Sequence, residues 1–364
     1  MTLILMAGMM LLIIVIQAFT PYLVKRTEVF GIYVPEKYTK EIKLNKLKKS
    51  YALSCLLLGA VLTGGYIVGI SAVAATEESA VGWGIGLQLF LILFSMVLYY
   101  RNHLRVKELK KQKEWEAGKT KKVVADLQFR HDLKIVPGWI FVLPMVITAG
   151  LIGYTVMVFD QLPEKIPTHW GIDGVADAFT DKTVLSSIAM LLVLFLMQLL
   201  FLFLNQGMRN SGAKIRASRK KQSRERELVS RKYGSILLAI VSVGVTFLFT
   251  YLHLLTIFPD LGNPVQSMSL IIGFVLLTLA ATGFYVFKIV KISHSSEETP
   301  ELDVLDADDD KYWKGGLIYI NKEDPSMLVE KRFGVGWTIN LGNIKTWVLI
   351  MTPLLAILIL AILL

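Results

Sequence analysis

TVLSSIAMLLVLFLMQLLFLFL, residues 183–204, carries no Asp, Glu, Lys or Arg and is almost wholly apolar. A helix rises 1.5 Å per residue, so a stretch of this length spans the roughly 30 Å hydrocarbon layer of a bilayer. Backbone groups in lipid find no water, so they must bond within the segment, which makes it a helix. Seven further uncharged stretches share this character: 2–24, 51–75, 82–100, 138–159, 234–257, 267–287 and 346–364. The chain therefore reads as an all-α polytopic membrane protein of about eight transmembrane helices. Residues 2–24 read as a retained span, because no base precedes Lys25 and Phe19-Thr20-Pro21-Tyr22 makes a poor cleavage site for a signal peptide.

The 364 residues are 54% hydrophobic yet carry a net charge of +10, so apolar and basic residues must be segregated along the chain. Lys and Arg number 8 in residues 25–50, 11 in 101–137, 10 in 205–233 and 8 in 288–345, leaving only Lys165 and Lys182 of the 39 for the alternate loops. The positive-inside rule places the basic loops in the cytoplasm and both termini outside. The basic balance is thus a topology signal, with the lipid bilayer as partner and no direct contact with nucleic acid expected. Cys55 is the one cysteine, which excludes an internal disulfide.

Five regions follow from this layout. Residues 1–137 form a three-span region with basic cytoplasmic loops, and 138–204 hold two spans and the one sizeable outer loop, 160–182. Residues 205–296 comprise a basic loop and two spans. Residues 297–345 comprise an acidic tether and a cytoplasmic unit, and 346–364 form the last span. The basic segments 101–135 and 205–233 are read equally as charged extensions of the spans or as solvated linkers. Eight carboxylates and no base lie in 297–310, the pattern of a disordered tether that could also pair transiently with the basic loops on the same face. The following segment alternates short apolar runs with Asn321-Lys322-Glu323-Asp324-Pro325, which predicts a small strand-turn-strand unit near the membrane. Trp313, Trp337 and Trp347 fit the aromatic belt of an interface.

Signatures of catalysis are missing: no HExxH, no GxSxG elbow and no phosphate loop occur. Asp306, Asp308 and Asp310 match the start of a calcium loop, but Lys311 stands where glycine is required and Leu317 where a bidentate Glu belongs. No span contains a carboxylate or a strong base, which argues against an ion-coupled pump. His253 and Gln17, Gln88 and Gln198 are expected to bond between helices, and Gly65-x-x-x-Gly69 to form a packing face. The reading is of a non-enzymatic protein with no cofactor and no metal.

The outer loop, DQLPEKIPTHWGIDGVADAFTDK, is the richest candidate site. Pro163 and Pro167 enforce extended or turning backbone, and Gly171 and Gly174 permit tight turns. His169 and the aspartates Asp173, Asp177 and Asp181 offer polar groups, while Trp170 and Phe179 offer apolar surface. Three uses stay open: a metal site, a peptide-binding surface with aromatic anchors amid carboxylates, or a compact structural connection.

Leu162-Pro163-x-x-Ile166-Pro167-x-His169-Trp170, followed by Gly174, Asp177 and Lys182, resembles the LPxxIPxHW signature of bacterial multispanning membrane proteins best known through the SdpI-type immunity and signalling proteins. FGIYVPEKYTKEIKLNKLKKSY and YWKGGLIYINKEDPSMLVEKRFGVGWTIN resemble longer members of the same group. The resemblance implies immunity to, or sensing of, a secreted toxic peptide, with a transcriptional regulator as cytoplasmic partner. Pro163, Pro167, His169, Trp170, Gly174 and Asp177 are its ligand-binding or structural positions. Eight spans and an additional C-terminal unit depart from that pattern. The alternative function is a transporter for a small or lipophilic compound.

Overall fold

The computed structural model describes residues 2–363 except 74–75, 116–119, 123, 125, 127, 172–174, 295–298, 300, 302–303 and 307–308. Its helices are α1 (Thr2–Leu23), α2 (Ile42–Val73), α3 (Glu77–Gln112), α4 (Trp139–Met157), α5 (Val184–Asn210), α6 (Lys220–Ile257), α7 (Pro264–His294) and α8 (Ile344–Leu363). The first seven are long and apolar enough to cross a membrane, and α8 is apolar over the shorter stretch Ile344–Leu360. Large apolar side chains such as Leu57, Val68, Leu93, Val146, Phe247 and Leu276 point outward. In water that surface would be costly, whereas in lipid it is the favourable one.

The principal helix contacts fall within two groups, α1–α3 and α4–α8. In the first, Met10 and Ile14 of α1 pack with Tyr66 of α2 and Leu91 of α3. Gly59 admits the Ile14 side chain, since a Cβ there would lie within 2.3 Å of it. The second group adds polar bonds to packing. Buried Gln198 on α5 donates to Thr148 Oγ1 on α4 and Thr246 Oγ1 on α6, each at 2.9 Å. Thr155 Oγ1 and His253 Nε2 lie 2.8 Å apart across α4 and α6. Asn205 accepts from Ser235 and donates to the Val136 carbonyl. The expected bonding between helices is met at Gln198 and His253. Gly65 and Gly69 depart from expectation: among the described residues no other helix comes within 4 Å of a Cβ placed on either.

Short strands decorate the helix ends. On the basic side lie β1 (Glu28–Val29), β2 (Ile32–Tyr33) and β3 (Thr120–Lys122). On the opposite side lie β4 (Lys165–Trp170) and β5 (Ala176–Asp181). The basic side continues with β6 (Val304–Asp306), β7 (Trp313–Lys314), β8 (Ile318–Tyr319), β9 (Leu328–Glu330) and β10 (Trp337–Ile339). β1–β2, β4–β5, β7–β8 and β9–β10 are antiparallel pairs, and β3–β6 is parallel. The expected strand-turn-strand unit is thus two hairpins, bridged at Tyr319 and Asn340. Asn340, fully buried, donates to the carbonyls of Asn321, Asp324 and Ser326, which explains the turn between β8 and β9.

One open reading is met in both its forms, and two expectations need correction. The basic segments are partly helical, since α3 runs to Gln112 and α6 begins at Lys220, but 213–219 is irregular. The described part of the acidic run is not a free tether: Asp306, Asp309 and Asp310 bind Ser218, Arg332 and Lys110. Trp313 is no interface anchor, being buried against Tyr319. Trp347, by contrast, is exposed at the start of α8.

Candidate functional site

The outer loop folds as the β4–β5 hairpin, with Lys165 opposite Asp181, Ile166 opposite Thr180 and Pro167 opposite Phe179. The register slips on both sides of His169, as expected of a β-bulge that re-aims a side chain. Pro163 lies before the first strand and Pro167 within it, positions compatible with a two-stranded edge. Leu162 and Ile166 are buried and anchor the hairpin base.

Lys182 acts as a staple there. Its Nζ donates to the carbonyls of Leu162 (2.9 Å) and Asp160 (3.3 Å) and lies 5.2 Å from the Phe159 ring centroid. The next residue, Thr183, starts α5 with a reciprocal capping box to Ser186, whose hydroxyl also donates to the Asp181 carbonyl. A capping box satisfies amides that the first helical turn leaves unpaired. The loop is thereby fixed at both feet while its far end projects.

At that end His169 Nδ1 and Asp177 Oδ1 are 2.5 Å apart, and both side chains are more than half exposed. Val175 and Phe179 are exposed apolar neighbours, and Trp170 is half-buried. The structure therefore brings together His169, Trp170 and Asp177 of the expected set. Asp173 and Gly174 lie outside the described residues. Among the described residues no three His, Cys, Asp or Glu side chains form a group suited to a metal.

A second site on the basic side escaped the sequence reading. Arg332, in the turn between β9 and β10, donates to Asp309 and Asp310, and to the Gly31 carbonyl at 3.1 Å. Lys214 and Lys110 complete the aspartate pair at 2.6 and 2.7 Å. Burial would raise the Asp309 carboxyl, but the Arg332 guanidinium and Lys214 overcome this and hold it well below the usual carboxylate range. Burial likewise opposes the Arg332 charge, and Asp309 and Asp310 more than offset it. Glu330 receives both Lys25 and Arg226. Burial would raise its carboxyl too, yet Arg226 and Lys25 bring it down to about 2.

Further ion pairs join the same layer: Arg216 to Glu28 at 2.9 Å and Arg219 to Glu36 at 2.8 Å. Arg231, fully buried, donates to the carbonyls of Met208, Ser211 and Gly212, so it satisfies the acceptors left open where α5 ends. These pairs link residues 25–36 and 110 to residues 214–226 and 309–332, and so connect the two helical groups. Sequence offered one signal for them, the matched presence of an acidic run and basic loops on one side.

Two family models match the chain. A domain of unknown function (DUF1648) matches residues 139–196, covering α4, the outer hairpin and the start of α5. A family of unknown function (DUF5808) matches residues 322–347, covering β9, β10, the Arg332 turn and the start of α8. No curated protein and no solved structure matches the chain. The chain is a multi-pass membrane protein that carries both regions, and each match centres on one of the two sites described above.

Proposed function

We propose that this protein is a non-enzymatic, receptor-like component of the bacterial plasma membrane that recognises a secreted peptide and serves immunity or sensing. The observation that carries the reading is the stapled outer hairpin, which holds His169, Asp177, Trp170 and Phe179 at a projecting end. Aromatic anchors beside a carboxylate suit a cationic, partly apolar peptide. The resemblance of the LPxxIPxHW stretch to SdpI-type proteins supports the same reading. On it, the hairpin faces outward, the basic loops face the cytoplasm, and the β7–β10 unit passes occupancy to a transcriptional regulator.

Survival of cells with and without the protein, under a panel of secreted antimicrobial peptides, tests this. Selective protection that the combined H169A, W170A and D177A variant loses is the expected result. Protection that survives in that variant removes the hairpin from recognition. No protection against any peptide, together with protein-dependent solute flux into vesicles, would replace immunity by transport of a small or lipophilic compound.

A further inference from the structure

We infer that the basic side contains a binding site for a phosphoryl oxyanion, with Arg226 as its floor. A narrow cavity of about 30 Å³ lies among the ends of α1, α6 and α7 and the β9 strand. Arg226 lines it with only 5% of its surface exposed. Its Nη2 is paired with Glu330 at 2.9 Å, but Nε and Nη1 have no hydrogen-bond partner among the described residues. A buried guanidinium with the three N–H groups of Nε and Nη1 unmet is costly, and an oxyanion can accept at either edge of its plane.

The charge around the cavity points the same way. Six bases line it against three carboxylates. Glu330 must serve both Lys25 and Arg226, and Glu227 is engaged by Arg231 at 3.3 Å. Lys214 is held by Asp309 and Arg216 by Glu28, so the unmet donors at the floor are those of Arg226. A phosphoryl group, with its larger charge, competes for such a guanidinium better than a carboxylate does. The enclosed volume admits one small polar group and not a whole nucleotide, while a wider chamber of about 290 Å³, sharing Lys25, Lys214, Arg216 and Glu330, has room for what the phosphoryl group is attached to. Basic pockets between helix ends at the headgroup level also receive anionic lipids. The chemistry is the same for a phospholipid headgroup and for a soluble phosphate.

The test uses the full-length protein purified in detergent. Its melting temperature is followed with increasing inorganic phosphate against chloride at equal ionic strength. Native mass spectrometry follows the protein after reconstitution in phosphatidylcholine with or without phosphatidic acid. Phosphate raising the melting temperature marks a soluble ligand, and retained phosphatidic acid marks a lipid; either supports the site. R226K, which keeps the charge but loses the fork, is expected to weaken the effect at least tenfold while remaining monodisperse. If R226K does not fold, the wild-type comparison still decides. Overturning results are a wild-type response to neither probe, a response equal to that of chloride, or an unchanged response in folded R226K.

Discussion

Arg332 donates a hydrogen bond to the carbonyl of Gly31 at 3.1 Å, tying the C-terminal β-unit to the turn that follows α1. The same turn meets the β7–β8 turn backbone to backbone, for a Cβ on Gly31 would fall 2.6 Å from Gly316 Cα. Because the main helix contacts divide between α1–α3 and α4–α8, this junction is a principal link between the groups. A change in how the groups sit would have to strain or break it.

Replacing Arg332 by Ala should leave Asp309 and Asp310 mostly buried beside each other, with Lys214 and Lys110 left to balance them. Their side chains are 27% and 22% exposed, and that of Arg332 is 6% exposed. Removing one partner of a buried ion pair costs roughly 3 kcal/mol. The expected outcome is a clear fall in the denaturation midpoint of the detergent-solubilised protein. A second substitution, D309N in the R332A background, should recover part of the loss, because it removes the repulsion between the two adjacent carboxylates.

The same layer should loosen in acid. Glu330 is held down from an ordinary 4.5 to about 2 by Arg226 and Lys25, against the upward push of burial. Since the folded carboxyl is the more acidic, its stabilisation is complete above about 4.5 and is lost as pH falls through about 2. Asp309, lowered by Arg332 and Lys214, acts in the same direction. Melting temperature followed over this range should drop steeply for the wild type. E330Q should be less stable at neutral pH and should show a flatter acid limb.

The glycines divide into two classes that substitution can separate. Gly31 and Gly316 have φ of +75° and +72°, and the space beside each is filled by the other's backbone. Alanine there meets the left-handed penalty of about 1–2 kcal/mol and must also push the two turns apart. Gly65, in α2, has nothing within 4 Å of a Cβ. G65A should be neutral or stabilising by up to about 1 kcal/mol, the helix-propensity difference. Thermal denaturation of the three variants checks the contrast.

The spans were legible because each satisfies its own backbone and meets lipid, a condition written in residues 183–204 and their counterparts without reference to any partner. Gln198 and His253 were legible for a related reason, since a polar side chain deep in an apolar stretch needs a neighbour. The outer hairpin was legible as a site from Pro163, Pro167 and His169, but its strand register was not, because the slips around His169 depend on Ala178 and Ala176 lying opposite His169 and Trp170. Asp306, Asp309 and Asp310 read first as part of a tether, and their partners are not visible in the sequence. A run of carboxylates looks solvated until Ser218, Arg332, Lys214 and Lys110 arrive from far along the chain. Those pairings are tertiary, and a count of charges on one side holds the sum without the partners.

Lys182 allows the scaffold of the outer hairpin to be tested apart from its tip. Its side chain is only 11% exposed and its ammonium holds the Leu162 and Asp160 carbonyls, whereas His169 and Asp177 pair in the open. K182M keeps the apolar stem over Phe159 but forfeits both charge-assisted bonds, each worth about 1.5–3 kcal/mol. Exchange of the β4 and β5 amides should then speed up by at least tenfold, with the melting of the helices barely changed because the hairpin stands clear of most of them. H169A should leave that exchange nearly as it was, since the bond it removes is exposed. If the hairpin recognises a peptide as proposed, H169A should nevertheless weaken protection, and K182M should weaken it through lost order. An H169A protein that protects fully, beside a K182M protein that does not, would assign the loop's contribution to its shape and not to the His169–Asp177 pair.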